Sequence, residues 1–461
     1  MRFAGSHDII AAKEKEAAAP LTFTEGTLIN RRILCLLLLL CLTAGICSGC
    51  GKEQEETDDE KKVKNPYAGA VSMEGTPVID YVVPRLLPNI LVDTKGYLAG
   101  SGRKAAVVKG SKLPEDFALV DVLTGEAVYR GALEEIVYHG EAGIYSGYAD
   151  FSDYEKAGIY YVECDIIGCS TAFCIREGQY TALFEEIYGE LLESCRQKSI
   201  TLQEAAVLLE AYEWYGAIFP DEDGDQVPDV LKELRSFVSY MEENGVKEKE
   251  EALYAAFLAK FGYLYQKLDR EYAADCKEYA TDCLKRASTV FGQVKNTMGR
   301  DADTFFALTE LYRATGRYTY RQQILEYKSF FEDNSSYLDE RSYLHGGMTY
   351  IATRQKVDVE LCKNFTDNLR DRAEEISKHY TDMIHPVAAR NNGSGDLLKG
   401  AVVLSCDNYI LNNYQYTGVM EDLLHYLMGR NLESVCFYDN GEDRSDYLLL
   451  LAQLAALHAS D

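Results

Sequence analysis

The chain has 461 residues, a formal net charge of -27, 34 tyrosines and one tryptophan. Such an excess of carboxylates excludes nucleic acid as a partner, because binding phosphates needs clustered Lys and Arg. It also argues against contact with anionic lipid beyond a covalent tether, whereas an acidic, tyrosine-rich surface suits neutral ligands such as sugars.

The N-terminal 49 residues read as a targeting region. Residues 1–30 are mixed and without periodicity, which places the true start near Leu28. Arg31-Arg32 then precede an apolar run from Leu34 to Ile46, followed by Cys47-Ser48-Gly49-Cys50. A charged start, an apolar core and small residues before a cysteine is the pattern of an exported lipoprotein, with Cys50 as the lipid-attachment residue. The rival reading is a transmembrane helix, but the run is short of the roughly 20 apolar residues needed to span a bilayer. The chain is expected at the cell membrane, lipid-anchored and facing outward. Residues 50–66 are rich in Glu, Asp and Lys and read as a solvated linker.

From residue 67 to 178 the pattern is that of strands, with a core at 89–176. Ala105–Val108, Phe117–Asp121, Glu126–Tyr129, Gly147–Phe151 and Gly158–Glu163 are short and β-branched or aromatic, with turn signals between them. Such spacing indicates an immunoglobulin-like β-sandwich. From Gln179 to the end the period becomes helical. Helices are expected near 179–195, 202–216, 228–243, 248–267, 270–294, 302–315, 318–331, 339–353, 358–381, 396–413, 417–428 and 446–458. In the second, Ala205, Leu208, Leu209, Tyr212 and Tyr215 share one face. About six antiparallel hairpins can close into a two-layered ring; an open solenoid is the alternative, but no motif repeats at a fixed period.

These residues carry a resemblance. Val92-Asp93-Thr94-Lys95-Gly96-Tyr97 is similar to the opening strand of the N-terminal domain in glycoside hydrolase family 9, the endoglucanase group. Ala149–Tyr154 with Gly158–Tyr161, Val227–Glu233, Asp303–Gly316 and Tyr426-Leu427-Met428-Gly429-Arg430-Asn431 resemble further segments of that family, in order. The resemblance implies a multidomain fold, an N-terminal Ig-like β-sandwich followed by an all-α (α/α)6 barrel over 179–461, and action on β-glucans.

The departures from the family concern its chemistry. Its inverting hydrolysis uses an Asp base from an Asp-Ala-Gly-Asp loop and a Glu acid near the C-terminus, with roughly 6.5–9.5 Å between the carboxylates. Here the interval for the Asp loop is only Arg196–Thr201, and the family's Pro-His-His-Arg segment is missing after Asn431. Glu442, in Glu442-Asp443-Arg444-Ser445-Asp446-Tyr447, fits the pattern that carries the acid, but a solvated charge in the acidic turn Asp439–Asp443 or at the start of the last helix is the simpler reading. Without a base a lone acid does not complete the reaction.

Other candidates are weighed against plain structural roles. Asp221, Asp223 and Asp225 alternate as in a calcium loop, but Gln226 and Lys232 stand where an EF-hand has Gly and Glu, so a solvated turn is the simpler reading. Trp214 could stack on a sugar, although a large aromatic on an apolar helix usually belongs to the core. Cys164, Cys169 and Cys174, and Cys276 and Cys283, seven apart on one helix face, make no CxxC pair; buried free thiols are expected rather than a zinc site. No cofactor and no metal are expected. The sequence thus reads as a surface lipoprotein with a cellulase-like scaffold and a degenerate site, binding a polysaccharide or oligosaccharide or serving as a glycan-related scaffold. The alternatives are an active glycoside hydrolase using Glu442 and a protein–protein interaction module.

Overall fold

A computed structural model describes residues 87–461, except 141, 269–272, 295–300, 333–334, 384–393, 442 and 460–461, and without the side chains of 273–276, 382–383 and 394. The N-terminal body holds nine strands: β1 Ile90–Leu91, β2 Tyr97–Leu98, β3 Ala105–Gly110, β4 Asp116–Asp121, β5 Ala127–His139, β6 Ile144–Asp150, β7 Gly158–Cys164, β8 Gly168–Cys169 and β9 Phe173–Arg176. Their order is β1-β3-β6-β5-β4-β7-β9-β2, with β8 on β7. β5 serves both layers. Its first half pairs antiparallel with β4, its second half with β6. The core between the layers is Val92, Tyr97, Val108, Phe117, Leu119, Phe151, Tyr160 and Phe173, among others, all nearly inaccessible. Alternation of buried and exposed residues along β7 shows why these sequences choose strands.

The rest is helical, and the twelve described helices alternate between two layers. The outer ones are α1 Gln179–Arg196, α3 Asp229–Asn244, α5 Ala273–Gln293, α7 Tyr318–Leu325, α9 Val359–Met383 and α11 Thr417–Leu427. The inner ones are α2 Leu202–Tyr215, α4 Glu251–Tyr265, α6 Ala302–Thr315, α8 Arg341–Ala352, α10 Ser394–Leu411 and α12 Arg444–His458. Each inner helix packs on the next, and α12 packs back on α2, so the ring closes and the solenoid alternative falls. Burial follows the layers. α3 is amphipathic, burying Val230, Leu231, Leu234, Phe237 and Val238 on one stripe, whereas α4 is buried nearly all round. Among the described residues no helix is long and apolar enough to cross a membrane.

Two devices made of charge hold this frame. The first joins sandwich to barrel. Asp93 lies in the turn between β1 and β2, and one carboxylate oxygen accepts from the backbone N–H groups of Lys95 and Gly96 at 2.7 and 3.0 Å. The other meets Nδ1 of His425, on α11, at 2.7 Å, with both side chains essentially inaccessible. The Tyr97 ring packs 4.7 Å from the His425 ring. Thr94 donates its N–H and its hydroxyl to the Met428 carbonyl at 2.9 and 2.7 Å. Arg430 is buried beside them and donates to the Ala105 carbonyl at 3.2 Å and to Asp422 at 2.9 Å. Between these partners Gly429 adopts φ +122°, and a Cβ there would come within 2.9 Å of the Thr94 methyl.

The second device fills the barrel axis. Lys260 of α4 is fully buried, and its ammonium contacts Glu210, Glu213 at 2.9 Å and Glu310 at 3.1 Å. Arg313, one turn past Glu310, bridges Glu310 and Glu213. Thr349 of α8 donates to Glu310 at 2.7 Å, and His345 Nδ1 lies 3.3 Å from Glu210. Burial alone would raise the Glu213 carboxyl; Lys260 and Arg313 outweigh it and hold the group at about 2.

The direction of that shift sets a pH dependence. The folded value lies below that of the unfolded chain, about 4.3. The stabilisation is therefore complete above the unfolded value and is lost as pH falls through it toward about 2. Lys260→Ala leaves three buried carboxylates short of a cation and should cost about 3–5 kcal/mol. Chemical unfolding at pH 7 measures that loss. As pH falls from about 4.3 toward about 2 the difference between wild type and variant should shrink, because over that window the wild type loses the stabilisation that the depressed Glu213 carboxyl supplies.

Candidate active-site mouth

In this ring the N-termini of the inner helices share one end, and that mouth is where the resemblance places the chemistry. Between α1 and α2 the chain has only Gln197–Thr201. The short passage is locally specified. Lys198 takes φ +60°, and Thr201 caps α2 reciprocally with Glu204: the Glu204 N–H donates to the Thr201 hydroxyl at 3.2 Å and the Thr201 N–H to the Glu204 carboxylate at 2.8 Å. Arg444, at the start of α12, reaches across to this turn. It contacts the other Glu204 oxygen at 2.7 Å and donates to the Ser194 hydroxyl at 3.0 Å. The turn is thus both short and tied down.

Three carboxylates of the mouth are engaged. Glu204 is paired with Arg444. Asp446 is buried and pairs with Arg341 of α8; burial pushes its carboxyl up, against the pull of Arg341. Asp303, in the first turn of α6, accepts from the Ser342 hydroxyl at 2.5 Å and is likewise pushed up by burial. Glu442, the acid implied by the resemblance, lies outside the described residues, as does Cys50. The nearest described neighbours, Gly441 and Asp443, both have positive φ, 68° and 53°. The exposed large aromatics among the described residues are Tyr138, Tyr145, Tyr318 and Tyr414, none of them on a mouth loop.

Trp214 is half-buried and packs against the core. Its ring stacks on His345 at 5.8 Å and on Tyr409 at 4.9 Å, with interplanar angles of 12° and 23°. Neighbours on α8 and α10 thus hold the indole in place. Asp221, Asp223 and Asp225 do converge, at the opposite end of the barrel. The cation among them is the ammonium of Lys232, 2.5 Å from Asp223, 2.9 Å from Asp225 and 3.6 Å from Asp221. Asp229, the first residue of α3, joins at 3.4 Å. Lys232 occupies the twelfth position of the loop, where an EF-hand supplies a carboxylate, and so reverses the charge that position would offer a metal. Eight described cysteines are free thiols, with Cys164, Cys195, Cys283 and Cys406 buried; Cys276 lies among the side chains not described.

The axial cluster was not anticipated from the sequence, although it left a signal. α4 reads Glu251-Ala-Leu-Tyr-Ala-Ala-Phe-Leu-Ala-Lys260-Phe-Gly-Tyr-Leu-Tyr265, a single lysine within an otherwise apolar stretch. A lone cation in a helix buried on every side needs a carboxylate partner. Glu310 stood in plain view inside the Glu310-Leu311-Tyr312 motif.

Comparison with known proteins agrees with this architecture. Residues 87–168 match the model of the cellulase N-terminal Ig-like domain, and residues 200–444 match that of glycosyl hydrolase family 9. No curated protein matches. Among solved structures, a metagenome-derived family 9 endoglucanase superposes with a TM-score of 0.64 at 16% identity, over 81% of this chain and 99% of the other. A family 9 protein of Bacteroides ovatus gives 0.60 at 14%, over 80% and 99%. A thermostable endoglucanase from Alicyclobacillus acidocaldarius gives 0.55 at 14%, over 76% and 83%. At such identities the superpositions establish the fold; the family model, which spans more than half of the residues, establishes that the chain belongs to glycosyl hydrolase family 9.

Proposed function

We propose that this protein is an outward-facing lipoprotein that engages a polysaccharide on a cellulase-like scaffold without hydrolysing it. The observation that carries the reading is the turn Gln197–Thr201, capped by Glu204 and pinned by Arg444, in the interval where the resemblance places the Asp-Ala-Gly-Asp loop. An inverting mechanism needs a base that holds water across the sugar from the acid. Glu204, Asp303 and Asp446 are each committed to a protein partner, so none of them is poised for that task. A second reading, a protein–protein interaction module, is favoured by the lack of exposed large aromatics on the described mouth loops.

The catalytic part of the proposal is tested by reducing-sugar release from cellulose, mixed-linkage glucan and xylan at pH 5 to 7. General acid–base groups are each worth roughly 10²–10⁴ in rate, and Glu204, Asp303 and Asp446 are each engaged by a protein partner. The purified protein should release nothing above background, and Glu442→Gln should match it. Release by the wild type that vanishes in Glu442→Gln would establish the hydrolase alternative instead.

Anchoring is tested separately. Ser48-Gly49-Cys50 after the apolar run supports lipid attachment at Cys50. Expressed in a bacterium that processes lipoproteins, the protein should partition into detergent and carry the lipid mass. Cys50→Ala should lose both, and an unchanged mass in that variant would rule the anchor out.

A further inference from the structure

The hairpin of β5 and β6 runs beyond the sandwich core. Across it Tyr138 and Tyr145 are directly paired, with ring centroids 4.8 Å apart and a mutual tilt of 46°. They are 56% and 39% exposed, and beside them Ile136 and Val137 are 50% and 42% exposed. Tyr138, Tyr145 and, beside Gly147, Ile136 share one face, while Val137, opposite Ser146, alternates to the other, and exposed apolar patches of this kind mark interaction sites. The backbone is shaped here as well. Register shifts between Glu134 and Val137, and Glu135 adopts φ +48°. Gly147 lies opposite the bulge, where a Cβ would come within 3.1 Å of both the Glu134 carbonyl and Ile136. Bulges of this kind re-aim side chains. Tyr318 and Tyr414, the other exposed tyrosines among the described residues, stand on separate segments of the barrel.

We propose that Tyr138 and Tyr145 form a stacking platform for a neutral polysaccharide, placed on the sandwich and away from the barrel mouth. The proposal rests on the polysaccharide-binding reading and locates its site. Two observations favour this occupant. These few side chains are far fewer than the roughly 20–30 residues a side of a stable protein interface, so a second copy of the chain is a poor fit. The patch is flanked by exposed Glu134 and Glu135 on a chain of net charge -27, which disfavours an anionic surface and costs an uncharged sugar nothing. Flat aromatic rings match the apolar faces of pyranoses, and the tilt between these two suits a polymer whose successive rings are rotated. The exposed Glu134 carboxylate alongside can accept hydrogen bonds from sugar hydroxyls.

Affinity electrophoresis of the purified protein through gels containing mixed-linkage glucan or xylan tests the platform. The wild type should be retarded, and Tyr138→Ala with Tyr145→Ala should weaken retention about tenfold or more, as the loss of two ring contacts implies. Tyr138→Phe with Tyr145→Phe keeps the ring faces and should retain binding, as should Tyr318→Ala. All three positions are exposed, and circular dichroism verifies the fold of each variant. Undiminished retention by the double alanine variant would overturn the platform while leaving polysaccharide binding standing. No retardation of the wild type by either polymer would overturn both.

Discussion

Asp93 and His425 meet at 2.7 Å where water does not reach, one from the sandwich and one from the barrel. Removing either partner strands the other in a medium that solvates charge poorly, so the contact is costly to break even where its net worth is modest. Around it lie Thr94 on the Met428 carbonyl, Tyr97 against the imidazole, and Arg430 on Ala105 and Asp422. Asp93, Thr94 and Tyr97 belong to the segment Val92–Tyr97, Met428 and Arg430 to Tyr426–Asn431, and His425 directly precedes the latter; both segments carry the family resemblance in the sequence. In the fold the two segments are halves of one clasp. Their retention is explained by the joining of domains and requires no surviving catalysis.

The same logic runs down the barrel axis. Lys260, Arg313 and three glutamates replace what could have been an apolar core, and each charge has its counter-charge within contact. Such a cluster tolerates few single substitutions, because each leaves a remainder that burial penalises. Specificity of helix register is a natural consequence: sliding α4 by one turn would carry Lys260 away from carboxylates on both α2 and α6. At the mouth, Arg444 and Glu204 pin the short turn Gln197–Thr201 between α1 and α2.

Most of the fold was legible in the sequence for physical reasons. Helical period read in α2, and the switch from strand spacing to helix spacing near Gln179, follow directly from burial on one or both faces. The twelve helices fall within a few residues of their expected bounds, apart from shorter elements such as α7, which ends at Leu325 and passes into irregular turns. β5 was the main miss. Only Glu126–Tyr129 was legible as strand, because Arg130–Tyr138 is exposed on both faces in its outer half and carries no alternation. The shortened Asp-loop interval was legible because it is a matter of length. What fills the mouth was not: the Arg444–Glu204 pair joins residues 240 positions apart, and no local pattern announces such a meeting. Trp214 could have been sugar platform or core, and only the stacked rings of His345 and Tyr409 show it packed against the core.

The claim on which this account turns is that the family's motifs survive here as a desolvated clasp that makes sandwich and barrel one cooperative unit. A double-mutant cycle on Asp93 and His425, followed by scanning calorimetry, tests it most directly. The wild type should unfold in one transition, each single alanine variant should lose about 3–5 kcal/mol, and the double variant should lose little more than either single, so that the coupling nearly equals one single loss, about 3 kcal/mol. Additive losses, with the transition as sharp as in the wild type, would contradict the account.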